Sequence, residues 1–351
     1  MAGRTLFGTL PTGEPVEAIT LSNHAGMRVV IITYGATVQS VFVPDRNGAF
    51  ADVALGHATL EPYVEQPAYL GSTCGRVANR IARGRFTFDG RDYQVPVNNG
   101  PNSLHGGTAG FDKVNWEVVS VQENALTLRY VSPDGDQGYP GTLTTMATYS
   151  LTEENVLLVE YLATTDAPTI VNLTNHTYWN LAGEGSDDGA MGHLMTIAAD
   201  HYLPTDAGAI PTGEIRPVEG SPFDFRMPKA VSAGVRDASD EQIAVGRGYD
   251  HNWIVARTVS EEPRFLARVE EPASGRVLEV HSNQPGVQFY SGNFFDGTSI
   301  GKAGRLYRMG DAVVLEPQMF PDTPNQPAFG SLRLEPGETY RNIIEFRFSA
   351  G

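Results

Sequence analysis

Turn-forming residues recur along this chain at intervals too short for long helices. The sequence contains 38 Gly and 23 Pro, spread evenly, and both residue types interrupt helical structure. Short β-rich runs lie between them. Residues 85–88 and 91–95 flank Asp89-Gly90, a dipeptide that favours the left-handed backbone of a two-residue turn. This pattern predicts a hairpin here and a mainly β fold for the chain.

Other segments show the two-residue period that is typical of strands. Leu126, Leu128 and Tyr130 alternate with polar residues, as in a strand with one buried face. Residues 27–34 and 155–162 are more continuously apolar, as expected of strands that are covered on both faces. Further elements are predicted at residues 313–315 and 343–348 (strands) and at residues 59–66 (a short helix with Thr59 as its N-cap).

Together these patterns predict an all-β fold, a large antiparallel β-sandwich with few short helices. The sequence shows no internal repeat and no low-complexity linker. The polar segments 183–193 and 233–242 are interpreted as loops on one scaffold rather than as domain boundaries. Residues 1–351 are therefore expected to form a single domain.

The charge balance excludes several classes of partner. The chain carries 25 Lys and Arg against 41 Asp and Glu, a formal net charge of −16, which disfavours nucleic acid and membrane surfaces. No run approaches the roughly 18 apolar residues of a membrane span, and residues 1–17 lack a signal-peptide core. The single cysteine, Cys74, excludes an internal disulfide and a Cys-rich zinc site. A cytoplasmic location is expected, with monomer and homodimer both open.

Six segments are rich in Asn, Gln, His, Arg and aromatic residues instead of ordinary strand residues. Amide and guanidinium groups orient hydroxyls, and aromatic faces pack on the C–H faces of a sugar ring. The composition of these segments therefore indicates a site for a neutral polyol. They are residues 75–81 (GRVANRI), 98–107 (NNGPNSLHGG), 171–181 (VNLTNHTYWNL), 248–252 (GYDHN), 288–294 (QFYSGNF) and 315–327 (LEPQMFPDTPNQP).

Two of these residues suit acid–base chemistry. Glu316 follows the apolar run 313–315, so partial burial would raise its pKa and make it a stronger base. His176 has an imidazole whose ordinary pKa lies near neutrality. Each also has a structural interpretation, since a lone histidine is often structural and Glu316 could form an ion pair with Arg80. Cys74 is expected to be a small buried residue rather than a nucleophile.

Taken together and in this order, the motifs resemble the aldose 1-epimerases, also called galactose mutarotases. The likeness runs from Tyr34-Gly35-Ala36 to residues 334–338 (LEPGE) and includes residues 136–141 (DQGYPG). The resemblance implies a galactose mutarotase-like β-sandwich that interconverts the α and β anomers of free aldoses of the galactose or glucose type. It also implies a monosaccharide as the partner and neither a metal nor an organic cofactor. The preferred aldose stays open between galactose, glucose, xylose and arabinose.

The resemblance also assigns expected roles to individual residues. Glu316 corresponds to the general base and His176 to the general acid. The positions expected to bind the sugar are Asn79, Arg80, His105, Asp250 and Gln288.

Three other functions compete with this interpretation. A glycoside hydrolase would use Asp250 and Glu316 with carboxyls about 5–5.5 Å or 6.5–9.5 Å apart. A non-catalytic carbohydrate-binding protein would use the same polar residues without proton transfer. A sugar-phosphate epimerase would gather arginines around a phosphate. Arg76, Arg80, Arg83 and Arg85 are close in sequence, but alternate strand positions point to opposite faces.

Overall fold

The computed structural model describes residues 3–65 and 68–351. Within them the chain forms antiparallel β-ladders joined by short turns, with two short helices, α1 (Glu61–Glu65) and α2 (Glu241–Gly246). The strands are β1 (Gly3–Thr9), β2 (Pro15–Ser22), β3 (Arg28–Ile32), β4 (Thr37–Pro44), β5 (Phe50–Asp52), β6 (Thr73–Cys74), β7 (Arg80–Ile81), β8 (Arg85–Phe88), β9 (Arg91–Gln94), β10 (Ser103–Leu104), β11 (Glu117–Val121), β12 (Ala125–Ser132), β13 (Leu143–Leu151), β14 (Val156–Thr165), β15 (Thr169–Ile170), β16 (Thr174–Asn175), β17 (Tyr178–Trp179), β18 (Leu194–Ile197), β19 (His201–Leu203), β20 (Arg216–Pro217), β21 (Lys229–Ala230), β22 (Asp250–Ile254), β23 (Arg264–Glu270), β24 (Arg276–Ser282), β25 (Gly286–Tyr290), β26 (Asp296–Ile300), β27 (Leu306–Arg308), β28 (Val313–Gln318), β29 (Arg333–Leu334) and β30 (Tyr340–Ala350).

Three sheets carry most of these strands. One has five strands in chain order, β1 to β5. The largest has nine, in the order β11-β12-β13-β14-β30-β24-β23-β18-β21, and the third has six, in the order β17-β28-β25-β22-β19-β20. Strand β30, the last strand of the chain, lies at the centre of the nine-stranded sheet and pairs with β14 on one side and β24 on the other.

The core lies between these sheets. Strand β13 buries every second residue and leaves the alternate residues half-buried, as expected where one face packs on another sheet. One apolar cluster contains residues of all three sheets, such as Ile31, Tyr149 and Phe289. The fold is therefore the antiparallel β-sandwich that the spacing of turns predicts.

Most predicted elements are present, with shifted boundaries, but the strand at residues 27–34 is not fully covered, since Arg28 is exposed and Val30 half-buried. The hairpin is present as β8 and β9, with Asp89 and Gly90 both at positive φ. The predicted helix at residues 59–66 is shorter, since α1 spans Glu61–Glu65 and Gln66 lies outside the described residues. Strand β14 is not buried on both faces as expected, because its burial alternates like that of β13. Among the described residues no helix is long and apolar enough to cross a membrane.

Candidate active site

One face of the six-stranded sheet carries several of the predicted site residues. In neighbouring strands β28 and β25, Glu316 lies opposite Gln288, and Asp250 of β22 lies opposite Tyr290 of β25. Side chains alternate along a strand, so these four residues point to the same side. The intervening residues, such as Phe289, join the apolar core on the other side. The sheet is therefore buried on both faces, one apolar and one polar.

The remaining predicted residues come from loops above this polar face. His176 lies between β16 and β17, and its backbone N–H donates to the Ser72 carbonyl at 2.9 Å. Arg80 opens β7, which pairs with β10, and His105 follows directly after β10. The next residue must be glycine, because a Cβ on Gly106 would lie 1.9 Å from the Gly75 carbonyl oxygen.

These loops and the sheet enclose a cavity of about 300 Å³, which is large enough for a monosaccharide. It brings together six of the seven predicted site residues, and the seventh, Gln288, lies behind Asp250. Another cavity, of about 350 Å³ beside Arg305 and Arg308, contains none of them. The residues around the first cavity are Ala68, Tyr69, Asn79, Arg80, Asn99, Leu104, His105, His176, Tyr178, Asp250, Tyr290, Phe294, Phe295 and Glu316.

Glu316 and His176 form a buried pair at the floor of this cavity. His176 Nε2 lies 3.5 Å from Glu316 Oε1, and both side chains are almost fully buried. The second carboxyl oxygen, Glu316 Oε2, has no hydrogen-bond partner among residues 3–65 and 68–351. Glu316 does not pair with Arg80, which was the structural alternative, so one of its oxygens is free to accept a proton.

Burial shifts the pKa values of this pair in opposite directions. It raises the pKa of Glu316 well above its ordinary 4.5, with the Asp250 carboxylate adding to the effect and Arg80 opposing it. Burial lowers the pKa of His176 to about 4, although Asp250 partly offsets this. Because a buried site disfavours net charge, the pair holds one proton between pH 4 and the raised pKa of Glu316.

Arg80 is held instead by Asp250 and Asn99. Arg80 Nη1 lies 3.5 Å from Asp250 Oδ2, and Arg80 Nε donates to Asn99 Oδ1 at 3.0 Å. Gln288 Nε2 donates to the other oxygen, Asp250 Oδ1, at 2.8 Å. This chain of contacts fixes a guanidinium and a carboxylate in the cavity wall, where both can bind sugar hydroxyls.

His105 is oriented by the backbone. The Asn79 N–H donates to His105 Nδ1 at 3.1 Å, so the proton of the neutral ring sits on Nε2. Burial lowers the pKa of His105 well below its ordinary 6.5, and His176, Arg80 and Lys113 lower it further. His105 is therefore a neutral hydrogen-bond donor towards a bound ligand.

Cys74 lies next to this group as a small buried residue, as expected. Its sulfur, a ring nitrogen of His105 and a carboxyl oxygen of Glu316 lie within 4.8 Å of one another. Burial, with Glu316 adding to it, raises the pKa of the Cys74 thiol well above 9.0, and the Asn79 amide donates to His105 Nδ1.

Several cavity residues have no role in the sequence prediction. Tyr178, Tyr290, Asn99 and Phe294 lie inside the quoted motifs, so their composition was a usable signal. Tyr69 lies outside them, and no local pattern around it distinguishes it from a core aromatic. Arg76 does not enter the cavity, since its buried guanidinium donates to loop carbonyls at Ser132, Pro133, Pro140 and Gly141. The arginines that are close in sequence therefore do not gather into a phosphate site.

Comparison with known proteins agrees with this geometry. The family model described as aldose 1-epimerase matches residues 17–347. The galactose mutarotase of Rattus norvegicus is 48% identical over 347 residues, covering 99% of this chain and 98% of the relative. The aldose 1-epimerase of Escherichia coli K12 is 40% identical over 342 residues, covering 97% of each chain.

Two solved structures are similar over nearly their whole length. A GalM/aldose epimerase homologue from C. elegans has a TM-score of 0.87 at 32% identity, covering 95% of this chain and 98% of that chain. Galactose 1-epimerase from Lactobacillus acidophilus has a TM-score of 0.86 at 30% identity, covering 100% and 99%.

Proposed function

This chain belongs to the aldose 1-epimerase family, and we propose that it interconverts the α and β anomers of a free aldose in the cavity around Glu316 and His176. The reaction opens the cyclic hemiacetal, rotates the C1–C2 bond and recloses the ring on the other carbonyl face. The substrate is a monosaccharide of the galactose or glucose type, which fits the volume of the cavity.

Ring opening needs two proton transfers. Glu316 removes the proton from the C1 hydroxyl, and His176 delivers a proton to the ring oxygen as the C1–O5 bond breaks. On closure the two residues exchange roles, with His176 as base and Glu316 as acid. No net proton is gained or lost, so one shared proton in the pair suffices. A positioned transfer of this kind contributes roughly 10²–10⁴-fold to the rate.

The working form of the pair is a carboxylate beside an imidazolium. In the empty cavity burial favours the uncharged form of each group, but moving the proton from Glu316 to His176 leaves the pair neutral overall. Asp250 favours the imidazolium and Arg80 favours the carboxylate. Each also opposes the other member of the pair, since Asp250 disfavours the carboxylate and Arg80 disfavours the imidazolium, so neither residue alone decides where the proton lies.

The other residues position the sugar. Asp250 and Arg80 bind ring hydroxyls, supported by Gln288 and Asn99 through their contacts with these two side chains. His105 donates from Nε2 to the sugar near its ring oxygen. Negative charge develops on the ring oxygen during opening, and this donor stabilises it. Asn79 holds His105 in this tautomer through its backbone N–H.

The single observation that carries the proposal is the 3.5 Å pair of Glu316 and His176 in a cavity lined by polar and aromatic groups. The test is polarimetry on freshly dissolved α-D-galactose and α-D-glucose in a weakly catalytic buffer. We expect faster relaxation to the same final rotation, and loss of the acceleration in His176→Asn. Sugar binding without acceleration would instead support a binding protein, and release of a chromophore from an aryl glycoside would support a hydrolase.

Two further expectations are part of this proposal. Residues 1–351 act as one domain, which is supported by a core cluster extending from Ile19 to Phe348. The protein acts in the cytoplasm, where a free thiol such as Cys74 stays reduced.

A further inference from the structure

Tyr69 is a wall residue of the cavity to which neither the motifs nor the proposed mechanism assign a role. Its ring centroid lies 4.6 Å from that of His105 and 5.9 Å from that of His176. The two imidazoles are themselves 5.1 Å apart, with their planes at 86°. One aromatic side chain therefore contacts both histidines of the site.

Tyr69 is held from two other directions. The Nζ atom of Lys113 lies 5.5 Å from the centre of the Tyr69 ring, within the range of a cation–π contact. Asn98 Nδ2 lies 3.5 Å from the Tyr69 hydroxyl. The backbone of Tyr69 has a φ of 57°, a left-handed conformation that is uncommon for a bulky residue.

Behind Tyr69 lies a second, small polar cavity. Tyr69 and Ala68 line both cavities. The inner one is lined by residues that include His57, Ser72 and Asp112, and the buried atoms His57 Nε2, Ser72 Oγ and Asp112 Oδ1 lack hydrogen-bond partners among the described residues. Burial raises the pKa of Asp112, and Lys113 at 3.2 Å opposes this. A small space whose lining includes the Asp112 side chain thus shares Tyr69 with the cavity that holds the histidines.

We infer that Tyr69 is a positioning residue whose ring separates His105 and His176 from the Asp112 carboxyl group and so keeps both imidazoles neutral. The ring, rather than its hydroxyl, carries this role. The Asp112 carboxylate at the histidines would stabilise an imidazolium without Glu316 supplying the balancing charge. The proton would then be held by the surroundings instead of being shared with Glu316.

The charged and titratable groups around the two rings come from every neighbouring element. His176 faces the Glu316 carboxyl, with Asp250 favouring its charged form and Arg80 disfavouring it. His105 faces the same Arg80 and also Lys113, both of which disfavour a second positive charge. The other neighbours are Cys74, Tyr178 and Tyr290. Of these groups, Lys113 also contacts the Tyr69 ring, and Tyr69→Phe keeps that ring contact.

The direct test is a ¹H NMR titration of the histidine C2 protons in the sugar-free protein, with signals assigned from His105→Asn and His176→Asn. In the wild type we expect neither ring to titrate between about pH 5.5 and 8. In Tyr69→Ala both rings should titrate at least about one pH unit higher than in the wild type. Tyr69→Phe should behave as the wild type, because it keeps the ring.

Phe294→Ala is the matched control. It also removes an aromatic ring from the cavity wall, but this ring stacks on Tyr290 and Arg247 rather than on a histidine. Its histidine titrations should be unchanged. The inference is overturned if the wild-type rings titrate at ordinary values, if Tyr69→Ala leaves them unshifted, or if Tyr69→Phe shifts them as much as alanine does. Wild-type rings that titrate at ordinary values would overturn the inference even if Tyr69→Ala does not fold.

The kinetic consequence rests on the proposed function and is tested separately. The acid limb of kcat/KM for mutarotation should move to higher pH in Tyr69→Ala and be restored in Tyr69→Phe. A protein with no mutarotase activity would refute the proposed function and leave the titration result intact. An active protein whose acid limb is the same in all three forms would refute the role of Tyr69 in catalysis.

Discussion

Replacing Glu316 by glutamine should change activity and stability in opposite directions. The amide has nearly the same shape as the carboxyl group but cannot accept the C1 hydroxyl proton. A positioned base contributes roughly 10²–10⁴-fold, so kcat should fall by this factor, which corresponds to about 2.7–5.4 kcal/mol at 1.36 kcal/mol per tenfold. The KM should change less, because Asp250 and Arg80 still hold the sugar.

The same substitution should stabilise the fold at neutral pH. Burial raises the pKa of Glu316 in the folded state above its ordinary 4.5. Its contribution to stability is therefore fully present below pH 4.5 and is lost as the pH rises through the folded-state pKa. Glutamine cannot ionise and so removes this loss, which amounts to about 1.36 kcal/mol for each pH unit between 4.5 and the folded-state pKa. The gain over the wild type should be small near pH 4.5 and grow with pH.

Two measurements on the same samples test this reasoning. Polarimetry on α-D-galactose gives kcat and KM, and denaturant unfolding at pH 5 and at pH 8 gives the two free energies. Glu184→Gln is the control, since Glu184 contacts Tyr307 and Ala303 away from the catalytic cavity, and its activity should be unchanged. Activity in Glu316→Gln within tenfold of the wild type would refute the base assignment. A destabilised Glu316→Gln would refute the argument from burial.

Two more predictions follow from the site geometry. Since the pair holds one proton, the pH profile of kcat/KM should fall on both sides. The acid limb is governed by His176, whose pKa is lowered to about 4, and the alkaline limb by the raised pKa of Glu316. An initial-rate profile without an alkaline limb would contradict this. Gly106→Ala should be destabilising by more than about 1 kcal/mol, since its Cβ would lie 1.9 Å from the Gly75 carbonyl oxygen; thermal unfolding checks this, and an unchanged midpoint would show that the loop adapts.

The sequence predicts local structure well where one short segment decides it. The Asp89-Gly90 turn depends on two residues with positive φ, and these two residue types tolerate that backbone. The sequence analysis does not predict helix α2, which begins at the end of the polar segment 233–242, although the Asp240 side chain caps it by accepting from the backbone N–H groups of Gln242 and Ile243. Its apolar face is short, so neither periodicity nor length distinguished it from a loop.

Long-range pairing could not be predicted in the same way. Strand β14 pairs with β13 on one side and on the other with β30, which lies nearly two hundred residues later in the chain. No local signal carries this order. The same limit explains why β14 was expected to be covered on both faces: Leu158 and Leu162 are apolar, but the partner elements that decide their burial are remote in sequence. They end up half-buried.

The site was easier to predict than the sheet order because the resemblance to the aldose 1-epimerases assigned its residues motif by motif. The structure adds a physical reason why they are unusual, since their strands are buried on both faces. In such a strand every residue is expected to be apolar, so a polar residue at an interior position needs a reason. Glu316 in β28, Gln288 in β25 and Asp250 in β22 are such residues, and the ladder places them on one face. Arg80 was harder: the sequence allowed Glu316 as its partner, whereas the structure places it beside Asp250. That difference leaves Glu316 without an ion-pair contact to Arg80, whose charge opposes the raised pKa of Glu316 without cancelling it, so Glu316 keeps the raised pKa that suits a base.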